Sequence, residues 1–197
     1  MIFRRERKQE DDYLEKAVLG DREGFEYLVN AYKNLAYTIA FKICLNNEDA
    51  EEVVQDAFMK AFSSLGSFRR ASKFSTWLYR IVYNTAMTKI NTKTITRAEI
   101  NDQSGEDCYL LEGNNEINPL LQADRKKYIN LALSKLVEDE RIVVTLYYLG
   151  ERSISEIAQI LDLKKSAIKM RLLRGRKKLE NSLKLLLDTE LKDLLCC

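Results

Sequence analysis

Histidine is absent from the 197 residues of this chain, and proline occurs once, at Pro119. Without imidazole there is no Ser/His/Asp or Cys/His catalysis, no His-based zinc site and no histidine general base. Carboxylate, Lys or Tyr chemistry would remain to an enzyme, yet paired carboxylates, an HExxH motif and a phosphate-binding GxxxxGK[ST] loop are also missing. The expectation is a protein with no catalytic residue, no metal site, no cofactor and no small-molecule substrate. Cysteine is scarce: Cys44, Cys108, Cys196 and Cys197 have no CxxC or other metal-ligand spacing, and a reducing compartment leaves them as thiols. The adjacent Cys196 and Cys197 pair only with strain. No 18-residue uncharged apolar run exists, and the opening MIFRRERKQEDDYLEK becomes charged at once. Neither membrane insertion nor export is indicated, so a cytoplasmic protein is expected.

What is present is helical patterning and one concentrated run of positive charge. The formal net charge is only +2, yet residues 164–178, KKSAIKMRLLRGRKK, carry Lys164, Lys165, Lys169, Arg171, Arg174, Arg176, Lys177 and Lys178 and no acid. Upstream, Phe25, Leu28, Val29, Tyr32, Ala36, Ile39, Ala40 and Ile43 recur at three- and four-residue steps, the stripe of a long amphipathic helix that the Asn46, Asn47 pair ends. Ala50, Val53, Val54, Ala57, Phe58, Ala61 and Phe62 predict a second helix, stopped by SSLGSF. A third is expected from near Thr76 to about Thr88, after the basic loop RRASK. Residues 92–122, TKTITRAEINDQSGEDCYLLEGNNEINPLLQ, are rich in Asn, Thr, Glu and Gly and hold the proline, which reads as a flexible linker. Periodicity returns from Tyr128 through Tyr147 and breaks at Gly150. No alternating strand pattern is evident, so the expected fold is all-α: two small helical domains, 1–91 and 123–197, joined by the linker.

In the second domain SISE, from Ser153, is a capping box that starts a short helix through Leu161. A turn around Asp162 and Leu163 then leads into the basic segment, giving a helix-turn-helix outline. At 100° per residue Ile168, Leu172, Gly175 and Leu179 share an inward face. The opposite face collects Ser166, Met170, Leu173, Arg174 and Lys177, flanked by Lys169 and Arg176. Two apolar side chains among cations suit a DNA major groove, with Met170 and Leu173 against thymine methyls and Lys169 and Arg174 on base edges or phosphate. Other cations of the run, Lys178 among them, would hold phosphates.

Two stretches resemble one family. DAEEVVQDAFMKAFSSLGSFRRASKFSTWLYRIVYNTA (49–86), with its D..E..Q..F and F.TWL..I..N signatures, is similar to the second conserved region of bacterial RNA polymerase sigma factors, sigma-70 family, extracytoplasmic-function (ECF) group. EDERIVVTLYYLGERSISEIAQILDLKKSAIKMRLLRGRKKL (138–179) resembles the fourth. The chain departs from the pattern with Ser166 for Gly, Ala167 for Thr and Thr88 for Asp. The resemblance implies a non-enzymatic chain that binds core RNA polymerase through its β′ coiled coil and β flap, takes it to promoter DNA and helps open it, under an anti-sigma factor.

On that resemblance Glu52, Gln55 and Asp56, which share a helical face, are core-polymerase-binding residues. Arg69, Arg70 and Lys73, beside Phe68, Phe74, Trp77 and Tyr79, offer cations and rings for single-stranded DNA. With Arg80, Tyr83 and Asn84 they form the expected minus-ten set, while Trp77 one turn from Ile81 reads as packing. A loop at 67–72 could take an extruded base. The expected minus-thirty-five set is Lys165, Ser166, Lys169, Met170, Arg171, Leu173, Arg174 and Lys177. A helix-turn-helix repressor or response-regulator output protein would need the second domain but not the DAEEVVQDAF and FSTWLYRIVYN blocks of the first.

Overall fold

The computed structural model describes the backbone of residues 2–99 and 128–195 and the side chains of 9–93 and 128–186. Among these residues all regular structure is helical: α1 Ile2–Val18, α2 Arg22–Cys44, α3 Asn47–Ser63, a 3-10 turn Leu65–Ser67, α4 Phe74–Glu99, α5 Glu138–Tyr148, α6 Ile154–Leu161 and α7 Lys165–Leu195. Residues 128–134 are helical as well. The chain falls into two compact units, Met1–Ser104 with Gln159–Asp162, and Gly105–Ala158 with Leu163–Cys197.

In the first unit α2 packs against α1, α3 and α4, and α3 against α4. The stripe of α2 supplies Leu28, Ala36, Ile39, Ala40 and Ile43 to the core. Ala50, Val53, Ala57 and Ala61 of α3 meet Leu78, Val82 and Ala86 of α4, all buried. So many alanines in the seams let helix axes approach closely while Leu28, Leu78 and Tyr79 fill the remaining volume. The Asn46, Asn47 pair does end the first stripe, but through a cap. Leu45 takes a left-handed backbone with its N–H on Phe41 O. The Asn46 side chain then accepts from Asp49 N at 2.8 Å and starts α3.

Helix α1 is not visible as a stripe, because only Leu14 and Ala17 of its described residues are buried. It is held by tertiary fit. A Cβ on Gly24 of α2 would stand 2.5 Å from Ala17 N and 2.7 Å from Tyr13 O, so the two backbones meet where only glycine fits. Beside that point the Tyr13 and Tyr27 rings stack at 4.1 Å, and Tyr32 Oη donates to Glu10.

Helix α4 is longer at both ends than the expected span near 76–88, running from Phe74 to Glu99 into the stretch read as linker. No proline or glycine stands between Thr88 and Glu99. The hydroxyls of Thr88 and Thr92 turn back to Asn84 O and Thr88 O, both at 2.9 Å, and Lys89 and Lys93 are drawn onto acids of α3. The rest of the expected linker, residues 100–122, lies outside the described residues.

In the second unit α5 is buried along most of its length, from Glu140 through Leu146. Helix α7 lies across it, close enough that a Cβ on Gly175 would come within 2.7 Å of Val144 Cγ2. The capping box forms as expected: Glu156 N donates to Ser153 Oγ at 3.3 Å and Ser153 N to Glu156 Oε2 at 2.9 Å. Helix α6 ends in a left-handed Asp162, with Leu163 N bonded to Ala158 O at 3.0 Å. This single reversal turns the chain into α7.

Candidate nucleic-acid interface

The acidic face of α3 is presented to solvent, with Glu52, Gln55 and Asp56 all exposed. One turn further along the same face stands Met59, 72% exposed. The sequence reading left Met59 out, although its place seven residues after Glu52 carries the signal. Glu52 is engaged from α4, where Lys89 Nζ lies 2.5 Å from its Oε1 and 3.9 Å from Asp49 Oδ1, and Lys93 pairs with Asp49. The hydrogen bond to Glu52 raises the Lys89 pKa, with the charges of Asp49 and Asp56 adding to it. Glu52 is thus paired with a cation of α4, while Asp56 continues the negative face outward.

The basic loop between the 3-10 turn and α4 exposes Arg69, Arg70 and Lys73. Phe68 folds under it against Phe74 and Trp77, at 5.9 and 5.1 Å between centroids, and Phe74 lies 5.7 Å from Trp77. Trp77 is therefore a packing residue in a ring cluster that carries the cations above it. Arg70 has a left-handed backbone, φ 54°, and its Nη2 reaches back to Glu15 Oε1 at 3.1 Å. In the proposed loop pocket, Ser67 Oγ donates to Ser64 O.

On α4, Arg80 and Asn84 are exposed and Tyr83 is half-buried. Asn84 borders an open groove of about 270 Å³ lined also by Lys60, Ser64, Ile81, Thr85 and Thr88. Lys60 Nζ donates to Thr85 Oγ1 at 3.3 Å across its floor. Lys60, Ser64 and Thr85 escaped the sequence reading, since periodicity along one helix says nothing of a groove between two. Thr88, exposed at the edge of the groove, donates its hydroxyl to Asn84 O at 2.9 Å. One cation and several hydrogen-bonding side chains around an aliphatic patch suit a nucleotide.

Helix α7 divides its charges between two jobs. Ile168, Leu172 and Gly175 are buried toward α5, and Leu179 is half-buried. Arg171 is also on the inward side, half-buried, with Nη2 2.8 Å from Asp139 Oδ2. Lys178 Nζ binds both carboxylate oxygens of Glu140 at 2.8 and 3.0 Å. Arg176 lies over the rings of Tyr147 and Tyr148 at 5.2 and 5.3 Å. These three cations brace α7 on α5. The outward surface keeps Lys164, Lys165, Ser166, Lys169, Met170, Leu173, Arg174 and Lys177, with Met170 49% and Leu173 62% exposed. Among the described residues no group of three His, Cys, Asp or Glu side chains could hold a metal ion. No described helix is long and apolar enough to cross a membrane.

Comparison with known proteins falls on the same two units. Residues 28–94 match the family model for sigma-70 region 2, and residues 126–179 that for sigma-70 region 4. The chain is 31% identical to the ECF RNA polymerase sigma factor SigW of Bacillus subtilis, over 84% of this chain and 91% of the relative. It is also 31% identical to the ECF RNA polymerase sigma-E factor of Escherichia coli K12, over 85% and 91%. Its fold is similar to that of the sigma factor RpoE of Bartonella quintana, solved with the anti-sigma factor NepR: TM-score 0.71, 22% identity, 81% of this chain and 96% of the other.

Proposed function

Because the chain belongs to the ECF RNA polymerase sigma factors and so directs promoter-specific transcription initiation, we propose that its two units divide the promoter between them. The second unit reads the upstream, minus-thirty-five element with α7. The observation that carries this is the outward pair Met170 and Leu173, exposed among Lys165, Lys169, Arg174 and Lys177 on a helix that follows a capped α6 and a tight turn. A merely solvated basic helix has no use for two exposed aliphatic side chains there, whereas the major groove offers them thymine methyls. Arg171 serves by fixing the helix on Asp139 rather than by touching bases.

The first unit holds the opened minus-ten strand. Arg69, Arg70 and Lys73 supply cations above the Phe68 ring cluster, and Asn84 with Lys60 lines a groove of nucleotide size. The α3 face of Glu52, Gln55, Asp56 and Met59 docks on a basic, partly apolar surface of core polymerase, the β′ coiled coil, and the second unit meets the β flap. An anti-sigma factor holds the chain in reserve, as the likeness to a sigma factor solved with one suggests. The chain catalyses nothing itself and acts in the cytoplasm, where the promoter is. The repressor or response-regulator reading is not favoured, because it leaves the region 2 match over 28–94 without a purpose.

The test is purification of the tagged chain from its own cells followed by transcription in vitro. Copurification of the polymerase β and β′ subunits, and transcripts from a matched promoter only when the chain is added to core enzyme, are the expected results. A chain that binds promoter DNA but never core polymerase would overturn the proposal.

A further inference from the structure

The ion pair between Glu15 of α1 and Arg70 of the basic loop spans 55 residues of chain. Its acid is placed by a rigid element: α1 is locked to α2 at Gly24 and by the Tyr13–Tyr27 stack, and it also packs against the 3-10 turn Leu65–Ser67. Its cation sits in a left-handed backbone that a residue with a Cβ adopts only under constraint. That conformation returns the Arg70 side chain toward α1. Both partners keep half or more of their surface in solvent, 50% for Arg70 and 65% for Glu15. A second anion can therefore reach Arg70 without unfolding anything. A guanidinium accepts a carboxylate or a phosphate through the same fork of donors, so the two anions compete for one site.

We propose that Glu15 is a positioning residue for promoter opening: it occupies Arg70 as an intrachain stand-in for a DNA phosphate, holds the basic loop in shape in the free protein, and yields Arg70 to the backbone of the opened downstream strand. Glu15 lies before the 28–94 match to region 2, so the family model assigns it nothing. The proposal rests on the reading of Arg70 as a minus-ten DNA residue. The exchange swaps one charge-assisted bond for another, which keeps the loop ordered before DNA arrives and limits its hold on DNA afterwards.

The test uses the full chain assembled with core polymerase and a fluorescent promoter fragment whose minus-ten segment is already single-stranded. Glu15→Gln, which keeps the shape and removes the charge, should tighten binding about 1.4- to fivefold, the range a surface ion pair of this kind spans, and steepen the salt dependence. Glu15→Lys should tighten it further. In the Arg70→Ala background Glu15→Gln should lose most of its effect, which isolates the pairing from general charge attraction, and on a duplex carrying only the upstream element neither change should matter. Unchanged or weaker binding by Glu15→Gln and Glu15→Lys, with Arg70→Ala still weakening, would overturn this inference alone. An Arg70→Ala chain that binds as well as the parent would overturn the minus-ten reading of Arg70 and the inference with it.

Discussion

Lys178 Nζ lies 2.8 Å from Glu140 Oε2, and the side chain of Glu140 is 6% exposed. The pair joins α7 to the first turn of α5 and gives Lys178 a structural duty within the second unit.

Removal of that cation leaves a carboxylate almost out of water with its charge uncompensated. Lys178→Ala should destabilise the second unit by about 1–3 kcal/mol, the cost of stranding a buried polar group whose partner was half-exposed. Thermal unfolding of the full chain followed by circular dichroism measures it. Glu140→Gln in the same chain should recover part of the loss, and an unchanged melting temperature for Lys178→Ala would refute the bracing role.

The outward cations should behave differently. Arg174→Ala should cost about 1–3 kcal/mol at the preferred upstream element and blur base preference there. Lys177→Ala should weaken binding to every sequence alike and lower the salt dependence by about one phosphate. Met170→Gln and Leu173→Gln are compatible with an exposed helix surface and should leave melting unchanged while altering base preference. Transcription across a library of upstream-element variants gives the readout; unchanged preference in both Gln variants and in Arg174→Ala would mean that α7 does not read DNA.

The acidic face makes a third prediction. Glu52→Lys combined with Asp56→Lys should abolish retention of core polymerase in a pull-down with helical content unchanged. Met59→Ser should weaken it severalfold, since an aliphatic side chain 72% exposed at the end of that face loses its apolar contact only in the complex. Full retention by the double variant removes α3 from the interface.

Gly175 offers a fourth. A methyl group there meets Val144 Cγ2 at 2.7 Å, so the valine side chain has to shift to admit it. Gly175→Ala should cost about 1–3 kcal/mol by overpacking, and Val144→Ala in the same chain should return some of it. Equal melting temperatures for Gly175→Ala and the parent would show that the seam is looser than the distance implies.

Much of this protein follows from local order in the chain. The stripes of α2 and α3, the capping box at Ser153 and Glu156, the α6–α7 turn and the inward face Ile168, Leu172 and Gly175 are all set by residues within a few turns of one another. Side-chain spacing along one helix also determines that Glu52, Gln55 and Asp56 share a face, and that Met170 and Leu173 stand outward. Tertiary structure alone decided the rest, because it turns on residues far apart in sequence. Helix α1 owes its place to Gly24, and α4 continues past Thr88 with Lys89 and Lys93 anchored on acids some 40 residues earlier. The groove beside Asn84 exists only between two helices. The basic run of 164–178 is uniform in sequence, yet Asp139, Glu140, Tyr147 and Tyr148 engage Arg171, Lys178 and Arg176 and leave the other cations facing solvent. A charge declares its sign in the sequence; which anion it meets depends on what the fold brings within 3 to 4 Å, where an ion pair gains its energy.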